Sequence, residues 1–231
     1  MQSLIVDSSA ERVSAITKLL AENGCVTELR TTAQAALSYL AQRPTVDLIV
    51  LDTSDMNSAG AEVLRRLQAG ERLRRLPVVA ANCLARVAGS KQPRDLREST
   101  LLVVDDELVL LRLLGRVLER DGYRVTTARS AKDALREFES GKVGFVVSDI
   151  DMPEMTGLDL LEEIRRSDPD IPMLMMTGNG SRYDHATVMA AGADGYIPKP
   201  FKNADLMTLI DLMSGEGLTA GFSSTTGATA V

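Results

Sequence analysis

The 231-residue chain carries 26 Lys and Arg against 32 Asp and Glu, and it is 45% hydrophobic and 25% charged. This is the composition of a globular protein of one large or two small domains. It offers no run of 18 apolar residues to cross a membrane, and Asp7 and Glu11 come too early for a secretory apolar segment, so a cytoplasmic protein with no membrane partner is expected. The charge of −6 divides into +2 over residues 1–100 and −8 over residues 101–231, and with 3% aromatics and no Trp this argues against a dedicated nucleic-acid binder.

Along the chain, Leu4-Ile5-Val6 reads as a buried strand ending at Asp7, and Leu48-Ile49-Val50-Leu51 as another ending at Asp52. Gly60 follows Asp52 by eight residues, and Pro77 opens a further apolar run, Val78 to Ala81. The Arg65, Arg66, Arg72, Arg74 and Arg75 cluster reads as a solvated helix face, and residues 83–99 as a helix plus linker. The pattern then repeats at a spacing of about 97 residues. Leu102-Val103-Val104 ends at Asp105, Phe145-Val146-Val147-Ser148 ends at Asp149 with Gly157 eight residues on, and Pro172 opens Met173 to Met176. Leu108, Leu111, Leu114 and Leu118 form a helical stripe stopped by Gly122. Strand and helix alternate as in a parallel α/β sheet, with five βα units in residues 101–213 and fewer in the first copy. Residues 215–231, almost all Gly, Ser, Thr and Ala, are expected to form a disordered tail. Cys25 and Cys83 have no metal-ligand spacing and read as core residues.

The polar residues of the second copy fall at strand ends. Asp105 and Asp106 close its first strand, Asp149 its third and Thr177 its fourth, while Lys199 follows its fifth. In an open parallel sheet such ends share one crevice. Three carboxylates there resist ionisation unless a cation joins them, and a hard divalent ion such as Mg2+ suits an all-oxygen set. Asp149 could then attack phosphorus to form an acyl phosphate, with Lys199 clamping the phosphoryl oxygens and Thr177 sized to hydrogen-bond one of them. A cis Lys199-Pro200 bond would aim the lysine back at the crevice.

In order, Leu102-Val103-Val104-Asp105-Asp106-Glu107, Asp149-Ile150-Asp151-Met152-Pro153 with Gly157, Thr177-Gly178, and Tyr196-Ile197-Pro198-Lys199-Pro200-Phe201 resemble the receiver domain of two-component response regulators. The resemblance implies a flavodoxin-like, doubly wound five-stranded parallel sheet of order 2-1-3-4-5 over residues 100–214. It implies Mg2+ held by Asp105, Asp106, Asp149 and the Asp151 carbonyl, and a phosphoryl group on Asp149 supplied by a histidine kinase or a histidine phosphotransfer protein. Lys199 would grip the phosphate, and Thr177 and Tyr196 would form the switch, Tyr196 turning inward as Thr177 moves to the phosphoryl group. On this reading the protein is no enzyme beyond its own phosphorylation and dephosphorylation, and it signals to a downstream protein without a DNA-binding output.

Residues 1–82 resemble a degenerate receiver that lacks its last βα unit. Asp7 and Asp52 remain, but Ser8 stands where Asp106 would, Met56 where Pro153 would, and Asn82 where Thr177 would, and no lysine-proline strand end follows. Phosphorylation at Asp52 is not expected. The bare fourth strand of this copy is expected to be covered by the second copy or by a second chain in a homodimer, with residues 83–97 as the crossing helix. His185 reads as a helix-surface residue. A rival reading, a haloacid-dehalogenase-like phosphohydrolase built on Asp149-Ile150-Asp151, has its acidic motifs in the wrong order, and a regulatory fragment of a longer regulator or hybrid kinase is a further alternative.

Overall fold

The computed structural model describes residues 1–42, 45–55, 57–67, 75–90, 96–178 and 181–215. The expected tail, apart from Gly215, lies outside the described residues, as do Met56, Arg72, Arg74 and residues 91–95 between the copies. The first copy runs β1 (Gln2–Val6), α1 (Ala10–Glu22), β2 (Val26–Arg30), α2 (Ala33–Gln42), β3 (Leu48–Leu51), α3 (Ala59–Leu67), β4 (Val78–Ala80) and α4 (Ala81–Gly89). The second runs β5 (Thr100–Val104), α5 (Leu108–Arg120), β6 (Arg124–Ala128), α6 (Ala131–Glu139), β7 (Val143–Asp149), α7 (Gly157–Ser167), β8 (Met173–Thr177), α8 (His185–Ala190), β9 (Gly195–Pro198) and α9 (Asn203–Ser214).

The nine strands among the described residues form one sheet, in the order β2-β1-β3-β4-β9-β8-β7-β5-β6. Within each copy every pairing is parallel, and helices cover both faces, so β3 and β8 are buried along their whole length. The outer strands β2 and β6 carry Thr, Glu and Arg at part-exposed positions, as open edges require. Local signals fix several of the helix starts. Ser9 caps α1, Ser130 caps α6, and Thr156 and Asp159 form a capping box on α7. The repeated glycine has a steric cause: a Cβ on Gly60 would lie 2.2 Å from the Asp52 carbonyl oxygen, and one on Gly157 would lie 2.1 Å from that of Asp149.

The copies meet where β4 pairs with β9, antiparallel, with Val78 opposite Tyr196 and Val79 opposite Gly195. The edge left bare in the shortened copy is thus covered by the second copy of the same chain. Ala80 N donates to the Asp194 carbonyl at 2.7 Å. The crossing helix expected at 83–97 instead starts at Ala81 and ends at Gly89. It follows β4 with no intervening loop, because Ala81 and Asn82 take up helix where their counterparts Met176 and Thr177 extend β8. Helix α4 packs on α1, just as α9 packs on α5, and it also touches α9 across the junction. The first copy therefore keeps a counterpart of the last helix. Among the described residues it has no counterpart of α8 and β9, and β9 itself pairs with β4 there, running the other way.

Close approach makes this junction sensitive at Gly195, where a Cβ would sit 2.9 Å from the Val78 carbonyl oxygen, 3.3 Å from Met213 Sδ and 3.4 Å from Leu174 Cδ1. Gly195→Ala is expected to push β4 off β9 and destabilise the protein by about 1–3 kcal/mol, the usual cost of overpacking. Urea titration reads the change; an unaltered midpoint would show that the strands separate without cost.

Candidate functional site

β5 delivers Asp105 to the strand end, almost wholly buried, with Asp106 next to it in solvent, and β7 delivers Asp149, 6% exposed. Carboxylate oxygens of Asp105, Asp106 and Asp149 lie within 4.8 Å of one another. Glu107 N donates to Asp105 Oδ1 at 2.8 Å and fixes that carboxylate. Lys199 follows β9, and its Nζ lies 2.6 Å from Asp105 Oδ2 and 3.0 Å from Asp149 Oδ1. The Lys199-Pro200 bond is cis, and Lys199 N donates to the Thr177 carbonyl at 2.6 Å, tying the ends of β8 and β9 together.

Burial pushes the Asp149 carboxyl above its ordinary range; Lys199 pulls it down and Asp105 pushes it further up. Burial also pulls the Lys199 ammonium down, but hydrogen bonding and charge from Asp105 and Asp149 outweigh it, so its net shift is upward. An all-oxygen cluster of three acids suits a hard divalent cation. Asp151 lies two residues past Asp149 with its side chain in solvent and outside that cluster, which leaves its backbone carbonyl as the candidate ligand. Thr177 is buried at the end of β8.

Tyr196 faces inward, fully buried, and its hydroxyl has no hydrogen-bond partner among the described residues. Its ring stacks on that of His185, with centroids 4.0 Å apart. The surface reading of His185 is corrected: it opens α8, but the helix lies over β9, and the residue is only 8% exposed.

In the first copy the crevice is closed from within. Arg12, in the first turn of α1, sends Nε and Nη2 to the two oxygens of Asp7, Nη2 also to Asp52 Oδ2 at 2.6 Å, and Nη1 to Asn82 Oδ1 at 3.0 Å. Ser54 occupies the other Asp52 oxygen through its backbone N at 3.1 Å and its hydroxyl at 2.5 Å. The hydrogen bond from Asp7 leads the influences that hold the Arg12 guanidinium above its already high ordinary pKa. Sequence reading missed this residue. The repeat held the signal, since Arg12 occupies the place of Leu110 in the second copy, a cation gained where Asp106 and Lys199 have no counterparts.

Also missed was Asp194, the residue before β9. Its buried carboxylate accepts from Arg86 of α4 at 2.7 Å, from Arg165 of α7, and from Met173 N at 3.0 Å. One acid thus ties both copies to the start of β9.

A family model described as the response regulator receiver domain matches residues 101–211. Over 102 residues the chain is 36% identical to a probable transcriptional regulatory protein, TcrX, of Mycobacterium tuberculosis, covering 44% of each chain. Over 111 residues it is 36% identical to the response regulator SaeR of Staphylococcus aureus, covering 48% of each. The chain therefore spans about half the length of the curated relatives it matches. Among solved structures, a response regulator receiver domain protein from Clostridium thermocellum is 32% identical, with 50% of this chain and 94% of that one covered and a TM-score of 0.47. The NtrX receiver domain from Brucella abortus is 30% identical, with 51% and 99% covered and a TM-score of 0.48. Residues 101–211, which carry the acidic crevice and its lysine, are a response regulator receiver domain.

Proposed function

We propose that the second copy accepts a phosphoryl group on Asp149 from the phosphohistidine of a histidine kinase or phosphotransfer protein and passes the signal on by protein contact. The observation that carries this reading is Lys199 Nζ bridging Asp105 and Asp149 beside the three-acid cluster. A carboxylate oxygen of Asp149 attacks phosphorus in line with the bond to the donor nitrogen. The O–P bond forms as the N–P bond breaks, and the imidazole nitrogen keeps the electron pair and takes up a proton. Lys199 neutralises charge on the phosphoryl oxygens, and the Thr177 hydroxyl donates to one of them. A magnesium ion held by Asp105, Asp106, Asp149 and the Asp151 carbonyl would supply further charge neutralisation.

Helix α5 starts three residues after Asp105 and exposes Leu108, Val109 and Leu113 beside the crevice. An apolar patch there suits the donor protein. The charge of −8 on residues 101–231 favours protein contact over a phosphate backbone as output. The domain catalyses only its own phosphorylation and dephosphorylation.

Acetyl phosphate is expected to add one phosphoryl group per chain, only in the presence of a divalent metal, and not at all in Asp149→Asn. Asp52→Asn should label like wild type, because both Asp52 oxygens already have partners. Intact mass spectrometry decides it, and labelling that persists in Asp149→Asn removes the assignment.

A further inference from the structure

We propose that the first copy is a built-in effector of the receiver: by docking on β9 it holds Lys199 and Tyr196 in the arrangement that accepts the phosphoryl group, so docking and phosphorylation at Asp149 strengthen each other. This rests on the phosphoacceptor reading above. The argument begins with β9, which has only four residues and bears Tyr196 within it and Lys199 just past its end. Without the first copy β9 would be a short edge strand paired from one side only, the backbone groups of its other edge left without strand partners. Here it is paired on both sides, Tyr196 lying opposite Met175 of β8 and Val78 of β4.

Its start is held by Asp194, which Arg86 of the first copy and Arg165 of the second both grip. Its far end is bordered too, for Arg75 and Pro77 share a cleft with Pro198, Pro200 and Phe201, on either side of Lys199. Helix α3 touches α8, whose His185 stacks on Tyr196. The first copy thus contacts the start, middle and end of the strand that delivers the lysine, and the helix that covers the tyrosine. A clamp positioned beforehand lowers the reorganisation needed when charge develops at phosphorus. By linkage, whatever grips Lys199 at the end of β9 stabilises the strand on which β4 rests, and the two affinities change by one factor.

The test uses the full chain. Arg86→Glu sets a like charge against Asp194 and leaves the acidic crevice untouched. It is expected to speed amide exchange at Val78–Ala80 and to slow acetyl phosphate labelling of Asp149 on the order of tenfold, within the usual range of allosteric coupling. In the reverse direction, wild type given magnesium and beryllium fluoride, a phosphoryl mimic, should exchange the same β4 amides more slowly. Equal labelling rates in a variant whose β4 exchange has risen would overturn the proposal. So would unchanged β4 exchange in wild type with the mimic bound, which needs no variant. Failure of wild type to label at all would instead sink the phosphoacceptor reading.

Discussion

Replacing Arg12 with Ala is expected to destabilise the protein by about 3 kcal/mol, because it strips the shared cation from two buried carboxylates. Asp7 and Asp52 are both largely out of water, and Arg12 reaches both together with Asn82. Breaking a buried pair on one side costs about 3–5 kcal/mol, and the low end applies because the Arg12 side chain keeps a fifth of its surface in water. A lysine in its place supplies one point charge and cannot fork to three acceptors, so Arg12→Lys should recover only part of the loss. Removing the guanidinium also leaves two carboxylates and an amide oxygen facing one space. Added magnesium should therefore raise the urea midpoint of Arg12→Ala by more than it raises that of wild type. A variant within about 0.5 kcal/mol of wild type, the range of ordinary surface changes, would show that the crevice relaxes around the loss.

Gly157→Ala is expected to affect the receiver at its centre. The new methyl carbon would sit 2.1 Å from the Asp149 carbonyl oxygen and 2.9 Å from Ile150 Cα, both backbone atoms that cannot swing aside as a side-chain tip would. Gly157 N also donates to the Ile150 carbonyl at 2.9 Å, so the start of α7 is pinned to the turn that leaves Asp149. Relief requires α7 or that turn to move. A shift of about 1 Å in a reacting group can cost on the order of 100-fold in rate, and acetyl phosphate labelling should fall by a similar factor alongside a lowered urea midpoint. Gly60→Ala places the same overlap against Asp52 and should lower the midpoint without slowing labelling. If Gly157→Ala labels at the wild-type rate, the tight turn does not position Asp149.

These residues also show what could be read before the structure and what could not. The spacing from Asp52 to Gly60 and from Asp149 to Gly157 was visible as a repeat, and the steric reason lay in a backbone approach that composition does not encode. The strand-end acids and Lys199 were legible because parallel strands bring their carboxyl ends to one edge wherever the sequence places polar residues there. Arg12 was not, since an arginine on a helix looks solvated until the two acids it serves are folded beneath it. Burial of His185 depends on α8 lying over β9, a tertiary fact. The pairing of β4 with β9 was foreseeable only as a need to cover an edge. Its antiparallel direction, and the grip of Asp194 on Arg86 and Arg165, depend on residues more than 100 positions apart for the first pair.

The direction of that junction has a consequence for traffic around the molecule. Because β4 and β9 run oppositely, the strands of the two copies point to opposite poles of the shared sheet, Asp7 and Asp52 at one and Asp105 and Asp149 at the other. On the phosphoacceptor reading proposed above, a donor docked at the second pole would leave the first pole uncovered. The acidic crevice of the receiver and the arginine-closed crevice of the first copy therefore face away from each other, as separate surfaces of one sheet.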